Sequence, residues 1–220
     1  MDALRALFAQ ERAALAPECA GVFGRQGLFI GCDAEFAEQM VTPMLGRRVD
    51  LHLQGAGRLI GDAVCAPDEL PFADDSFRLI VLHHAFECLA APEALREELV
   101  RVLEPGGVAL IVGFARFGAW RPWLAWQMRG QTAPPQPASA GAWRRALARG
   151  GVDVYAERRI GAQRLSVAGA ELRLPPALRS SWLLLARKRS TNALLRTHPV
   201  ALRPRVARAH LASGTQRASA

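Results

Sequence analysis

The sequence predicts one α/β domain, doubly wound, with a mostly parallel sheet covered by helices on both faces. Three observations predict it. Residues 77–82, apolar but for Arg78, and 108–112, fully apolar, are runs of strand length, as strands buried on both faces require. Between them Leu95, Leu99, Val102 and Leu103 recur at i, i+4, i+7 and i+8, and Pro105-Gly106-Gly107 closes the stretch, so the unit reads strand–helix–strand. Further runs before and after repeat the alternation, giving a sheet of seven strands or fewer.

Residues 3–15 place Leu4, Leu7, Phe8 and Leu15 on or near one helical face, and Pro17 is expected to end that helix. Residues 27–32 read as the first strand and its exit turn. Residues 34–45 read as a helix with Phe36, Met40, Val41 and Met44 inward, weakened at its end by Pro43. The second strand is expected over 49–54, turned by Gly55-Ala56-Gly57, and the third over 59–65. Strand four spans 78–83, a helix 92–103 and strand five 108–114. Residues 115–140 break the rhythm: Trp120, Trp123 and Trp126 recur among Arg116, Arg121 and Arg129, and a Pro/Ser/Ala linker follows over 131–140. That Trp face reads as a lid over an apolar substrate, as packing over the sheet edge, or as a membrane-surface contact. A helix over 142–149 stops at Gly150-Gly151, and strands six and seven take 152–160 and 181–187. Residues 191–220 lack periodicity and read as a basic tail without fixed structure. The expected division is an N-terminal helix (1–26), one domain (27–189) and the tail (190–220).

A chain of 220 residues, half of them apolar, can bury a core of ordinary size. No apolar run approaches the ~18 to 20 residues a bilayer-spanning helix needs. The first residues carry early acids and no apolar stretch, which argues against a secretory signal. Cys19, Cys32, Cys65 and Cys88 lie far apart, so free thiols in a reducing cytoplasm are expected in place of disulfides or a zinc centre. The net charge of +8 raises nucleic acid as a partner. No acid follows Glu171, however, and the charges of 191–220 are Arg196, Arg203, Arg205, Arg208 and Arg217, so a solvated tail is the leading reading.

The stretch 70–114 carries a Leu70-Pro71-Phe72 turn, a Ser76-Phe77 strand start, His84 and Glu87 at a strand end, and Leu103-x-Pro105-Gly106-Gly107. It resembles the second half of the S-adenosylmethionine-dependent methyltransferase domain, in the large family that includes the ubiquinone/menaquinone-biosynthesis methyltransferases. Arg78 stands where that family usually has Asp. The resemblance covers about 27–189 and implies the methyltransferase-type sheet, whose last strand is antiparallel. It also implies S-adenosylmethionine as cofactor and a small or medium molecule as methyl acceptor.

The resemblance places cofactor-binding residues at the strand ends. The family's Asp-x-Gly-Cys-Gly-x-Gly loop is here Phe29-Ile30-Gly31-Cys32-Asp33-Ala34-Glu35, which keeps the first Gly-Cys pair and replaces two glycines by acids. Gln54 is the nearest candidate for the acid that holds the ribose. A neutral acceptor binds a hydroxyl less strongly than a carboxylate does. Gly61-Asp62-Ala63 matches the segment that contacts adenine. Residues 31–61 are short for two helices and a strand, so the second helix is expected to be lost. The eroded loop and a Gly113-Phe114-x-x-Phe117-x-x-Trp120 segment resemble a divergent bacterial subgroup. His83, His84 and Glu87 fall beside the transferred methyl, where an imidazole is a candidate general base. Against this stands the alternative that His84 and Glu87 only orient the strand-to-helix turn, and that the chain is a binding or scaffold protein that has lost catalysis. Metal at the His-His-x-x-Glu-Cys run is not expected, because its spacing matches no familiar zinc site.

Overall fold

The protein is described by a computed structural model over residues 2–55, 57–116, 138–161, 164–167, 170–173, 175 and 179–190. Its sheet consists of β1 (Gly24–Gly31), β2 (Leu45–Gln54), β3 (Arg58–Gly61), β4 (Phe77–His83), β5 (Leu103–Phe114), β6 (Val152–Ile160) and β9 (Ser181–Lys188). A separate hairpin pairs β7 (Arg164–Val167) with β8 (Ala170–Arg173). The helices are α1 (Asp2–Ala20), α2 (Ala34–Glu38), α3 (Pro92–Val102) and α4 (Ala140–Arg149), with a 3-10 turn at Ala85–Cys88. The strand order is β3-β2-β1-β4-β5-β9-β6. β2, β1, β4 and β5 run parallel, and β9 lies antiparallel between β5 and β6. This is the expected mostly parallel sheet with an antiparallel last strand.

Successive side chains on a strand face opposite sides, so the sheet splits the core in two. Leu28, Ile30, Ile80, Leu82, Ile111 and Leu184 pack against Leu95, Leu99 and Val102 of α3 and Trp143 and Leu147 of α4. Phe29, Leu79, Val81, Leu110, Val112 and Leu183 pack against Leu15 and Cys19 of α1 and Phe36 of α2. The apolar runs are continuous because both faces are covered. The Leu70-Pro71-Phe72 turn is clamped by α3: Arg101 donates to the carbonyls of Leu70 and Phe72, and Glu98 accepts from the Leu70 amide. Lys188, the one lysine in the sequence, donates to the carbonyls of Val100 and Leu103 at the α3 C-terminus and to Asp75. A cation there is favoured by the helix dipole.

Five elements differ most from the sequence reading. α1 runs through Pro17 to Ala20, because Cys19 and Val22 bury on the sheet and outweigh one lost backbone hydrogen bond. α2 stops at Glu38, and β2 begins earlier, at Leu45. β5 likewise begins earlier, at Leu103, ahead of the Pro-Gly-Gly segment. The largest difference is β3, which runs antiparallel to β2 with Gln54 opposite Arg58 and Leu51 opposite Gly61. A parallel strand would need a crossover of a dozen or more residues, and the chain provides only a tight turn. Gly61 makes the pairing possible: its φ is +142°, and a Cβ there would lie 2.2 Å from the Asp50 carbonyl oxygen. The thiols are free: Cys19 is buried, and Cys32, Cys65 and Cys88 are partly buried. No described helix is long and apolar enough to cross a membrane. The Trp120, Trp123 and Trp126 segment and residues 191–220 lie outside the described residues, so the lid and tail expectations fall there too.

Candidate active site

The carboxyl ends of β1 and β4 meet where an open α/β sheet reverses its strand order, the place such folds bind ligands. Gly31 ends β1 level with His83, which ends β4, and the Cys32 amide donates to the His83 carbonyl. Asp33 caps α2: its Oδ1 accepts from the Phe36 amide at 2.9 Å. The cap folds the loop back, so that a Cβ on Gly31 would lie 2.9 Å from the Asp33 carbonyl. The Phe36 ring stacks on His83 with centroids 3.6 Å apart. Burial pushes the Cys32 thiol well above its ordinary value, with the Asp33 charge adding to the effect, so it stays protonated.

His83, His84 and Glu87 are brought together, and all three are sealed. Glu11, on α1, joins them and is 0% exposed. Its Oε2 accepts from Nε2 of His83 at 2.8 Å and from Nε2 of His84 at 3.1 Å, and its Oε1 accepts from the Ser181 hydroxyl. His84 Nδ1 donates to Glu87 Oε2 at 2.7 Å, and Glu87 Oε1 accepts from the Phe114 amide. His84 has a left-handed backbone, φ +54°, which turns the chain at the strand end while its ring stacks on Phe114. A non-glycine residue is held in that region only by over-determined surroundings.

The charges follow from this geometry. Burial would raise the Glu11 carboxyl, but the two imidazoles outweigh it and hold the group well below the usual carboxylate range. Burial also opposes charge on His84, yet Glu11 and Glu87 hold its pKa up at about 9. His83 is driven down to about 4 by burial and by its charged neighbour. Burial raises Glu87, with its hydrogen bond from His84 acting the other way. At neutral pH the proton-bearing cation is therefore His84, and its two nitrogens donate. A ring in that state accepts no proton, so the closed arrangement differs from the open base that the sequence suggests.

Glu11 was not singled out by the sequence pattern. The signal was present: Glu11 sits at i+4 from Leu7 and i−4 from Leu15, a carboxylate in the middle of the buried stripe. Its partners lie more than 70 residues away, so nothing local explains it.

The structure does not bring Asp62 and Ala63 to this place. Because β3 runs backwards, the Asp62 carboxylate accepts from the Asp50 amide and opens on a cleft of about 390 Å³ beside Gln26, Arg47, Arg48 and Phe72. The register sets Asp62 beside Asp50, which pairs with Phe29, two residues or roughly 7 Å short of Gly31. Asp62 is thus separated from the Gly31 loop mainly sideways, lying on the far side of β2. Ala63 instead packs against the core beneath β3. Gln54 is exposed at the end of β2.

A second cleft, of about 340 Å³, lies between α1 and the β1–α2 loop. Arg5, Arg12, Asp33, Glu35 and Phe8 line it, and Arg5 pairs with Glu35 at 3.0 Å.

Residues 35–111 match the family model described as a methyltransferase domain. Over that stretch, about a third of its length, the chain is similar to the methyltransferase-domain family. Among solved structures, the domain resembles a SAM-dependent methyltransferase from Thermotoga maritima at 14% identity and a TM-score of 0.55, covering 84% of this chain and 91% of that one. A SAM-dependent methyltransferase from Aquifex aeolicus matches at 15% identity and 0.53, covering 82% and 91%. The cyclase SpnF matches at 13% identity and 0.51, covering 82% and 80%. At such identities the likeness shows the fold. No curated protein sequence matches the chain.

Likeness to the methyltransferase-domain family implies S-adenosylmethionine as donor, and the residues can be tested against that molecule. Its amino-acid end carries an ammonium and a carboxylate. The α1 cleft offers Asp33 and Glu35 for the first and Arg5 and Arg12 for the second, so the donor set fits that end. The adenine end lacks the expected acid, since Asp62 faces the other cleft.

Proposed function

We propose that the protein is an S-adenosylmethionine-dependent methyltransferase acting on a small or medium acceptor in the cytoplasm. The observation that carries this reading is the two-signed cleft of Arg5, Arg12, Asp33 and Glu35 against the Gly31-Cys32-Asp33 loop, within a domain similar to the methyltransferase family. When bound, the cofactor supplies a sulfonium methyl and its own leaving group. Everything else falls to alignment and exclusion of water. Gly31, Cys32 and Asp33 present the loop to the amino-acid end, and Arg12 offers its guanidinium to the carboxylate. Gln54 is the polar group at the β2 end for the ribose hydroxyls. His83, His84 and Glu87 border the methyl-transfer end. Their sealed hydrogen bonds keep the β4 turn in place and water out. Asp62 and Ala63 have no part in this proposal.

The test is transfer of labelled methyl. Purified full-length protein is incubated with methyl-labelled S-adenosylmethionine and a fractionated small-molecule extract. Label should enter a discrete product with the wild type and fall at least tenfold with Arg12→Ala. No transfer from any fraction would contradict the reading.

The second reading is a methyltransferase-fold protein without methyl transfer. It is favoured by Asp33 and Glu35 in place of two loop glycines and by the placement of Asp62 beside Asp50. A cyclase shares this fold, so the scaffold serves reactions other than methyl transfer.

A further inference from the structure

We propose that Glu11, His83 and His84 form a buried site for one divalent transition-metal ion. Each offers one ligand atom, and the three atoms lie within 4.8 Å of one another. Both Nε2 atoms converge on a single oxygen, Glu11 Oε2, at 2.8 and 3.1 Å. Two imidazoles and a carboxylate are a donor set that suits zinc, iron or cobalt. With metal–ligand bonds of about 2.0 to 2.1 Å, tetrahedral neighbours stand roughly 3.3 Å apart. Binding an ion there requires the two Nε2 atoms to move away from Glu11 Oε2 by about 0.2 to 0.5 Å.

The surroundings are built as metal sites are. A ligating histidine usually gives its other ring N–H to a carboxylate, which fixes the ring and raises its basicity. His84 Nδ1 does this toward Glu87 at 2.7 Å, and Glu87 is itself anchored by the Phe114 amide. The second oxygen of Glu11 is held by Ser181. The rings are walled by Phe8, Phe36 and Phe114. A dication would also balance the two buried carboxylates with both imidazoles neutral. His83 is the weakest of the three ligands, because its Nδ1 is buried without a partner. That nitrogen would have to carry the ring proton once Nε2 binds the ion.

The site joins α1 to the ends of β4 and β9, so an ion there fastens the N-terminal helix to the sheet. The inference is independent of methyl transfer: a catalytically dead protein would bind the ion equally well.

The test uses the full chain, unfolded, stripped with chelator and refolded with Co(II) or Zn(II), since the site is sealed. One Co(II) per chain with a saturable visible d–d absorption is expected, displaced by Zn(II). Zn(II) should raise the melting temperature by several degrees. Glu11→Gln should weaken Co(II) binding by at least tenfold. Glu87→Gln should weaken it about 10- to 100-fold through His84 while keeping the spectrum. If Glu11→Gln fails to fold, the wild-type titration and Glu87→Gln decide. The proposal is overturned if the wild type shows neither a saturable Co(II) spectrum nor a Zn(II)-dependent melting shift. Binding that survives both substitutions and disappears on cysteine alkylation would also overturn it.

Discussion

Replacing Glu11 by Gln in metal-free protein should destabilise the fold in a pH-dependent way. Glu11 is the main anion holding His84 charged, and a histidine pKa raised from 6.5 to about 9 corresponds to roughly 3 kcal/mol of stabilisation of the charged ring. The folded pKa is raised above the unfolded one. That stabilisation is therefore complete below pH 6.5 and lost as pH climbs through about 9. On the acid side Glu11 is held down from its ordinary 4.5, so its contribution is present above that value and fades as pH falls further. The deficit of Glu11→Gln should thus be largest between about pH 4.5 and 6.5 and shrink by pH 9.5. At about 2 to 4 °C per kcal/mol for a chain of this size, the melting temperature near pH 6 should drop by roughly 6 to 12 °C. Thermal and urea unfolding across pH, with chelator present, measure it. An equal deficit at pH 6 and pH 9.5 would refute the electrostatic reasoning and leave only lost packing.

Other outcomes follow from named contacts. Lys188→Met should cost about 1 to 3 kcal/mol in urea unfolding, because the α3 C-terminal carbonyls of Val100 and Leu103 lose a charged donor. Gly61→Ala should destabilise by at least about 1 to 3 kcal/mol, since the added Cβ meets the Asp50 carbonyl at a φ that disfavours side chains; exchange of the Asp62 amide should rise with it. Asp62→Ala should leave affinity for S-adenosylhomocysteine within about twofold by calorimetry, because its carboxylate is bonded to the Asp50 amide, away from Gly31.

The central βαβ unit was legible because its signals are local. Phe77–His83, the Leu95, Leu99 and Val102 stripe and the Pro-Gly-Gly stop each declare themselves within a dozen residues. The direction of β3 was not legible for a different reason. Gly61-Asp62-Ala63 matches a familiar segment in residue type, while the Gly55–Gly57 turn before it is too short for a parallel crossover. Chain geometry outweighed the likeness. His83, His84 and Glu87 were singled out from their strand-end position, but their buried hydrogen-bonded state was not legible. The partner that charges His84 is Glu11, 73 residues earlier, on a helix whose docking no local pattern specifies. Conversely, an isolated acid on an apolar stripe is a signal that its partner must be sought elsewhere in the chain.

In the proposed function the strand-end loop and the α1 cleft hold the methyl donor. Calorimetric titration of the full chain with S-adenosylhomocysteine tests it most directly. The acids in place of loop glycines, Gln54 at the ribose position and the missing adenine-side acid predict weak binding. One saturable site is expected, with a dissociation constant at or above about 0.1 mM, equivalent to roughly −5.5 kcal/mol or weaker. Arg12→Ala should weaken it further. No saturable heat at millimolar ligand would contradict the account.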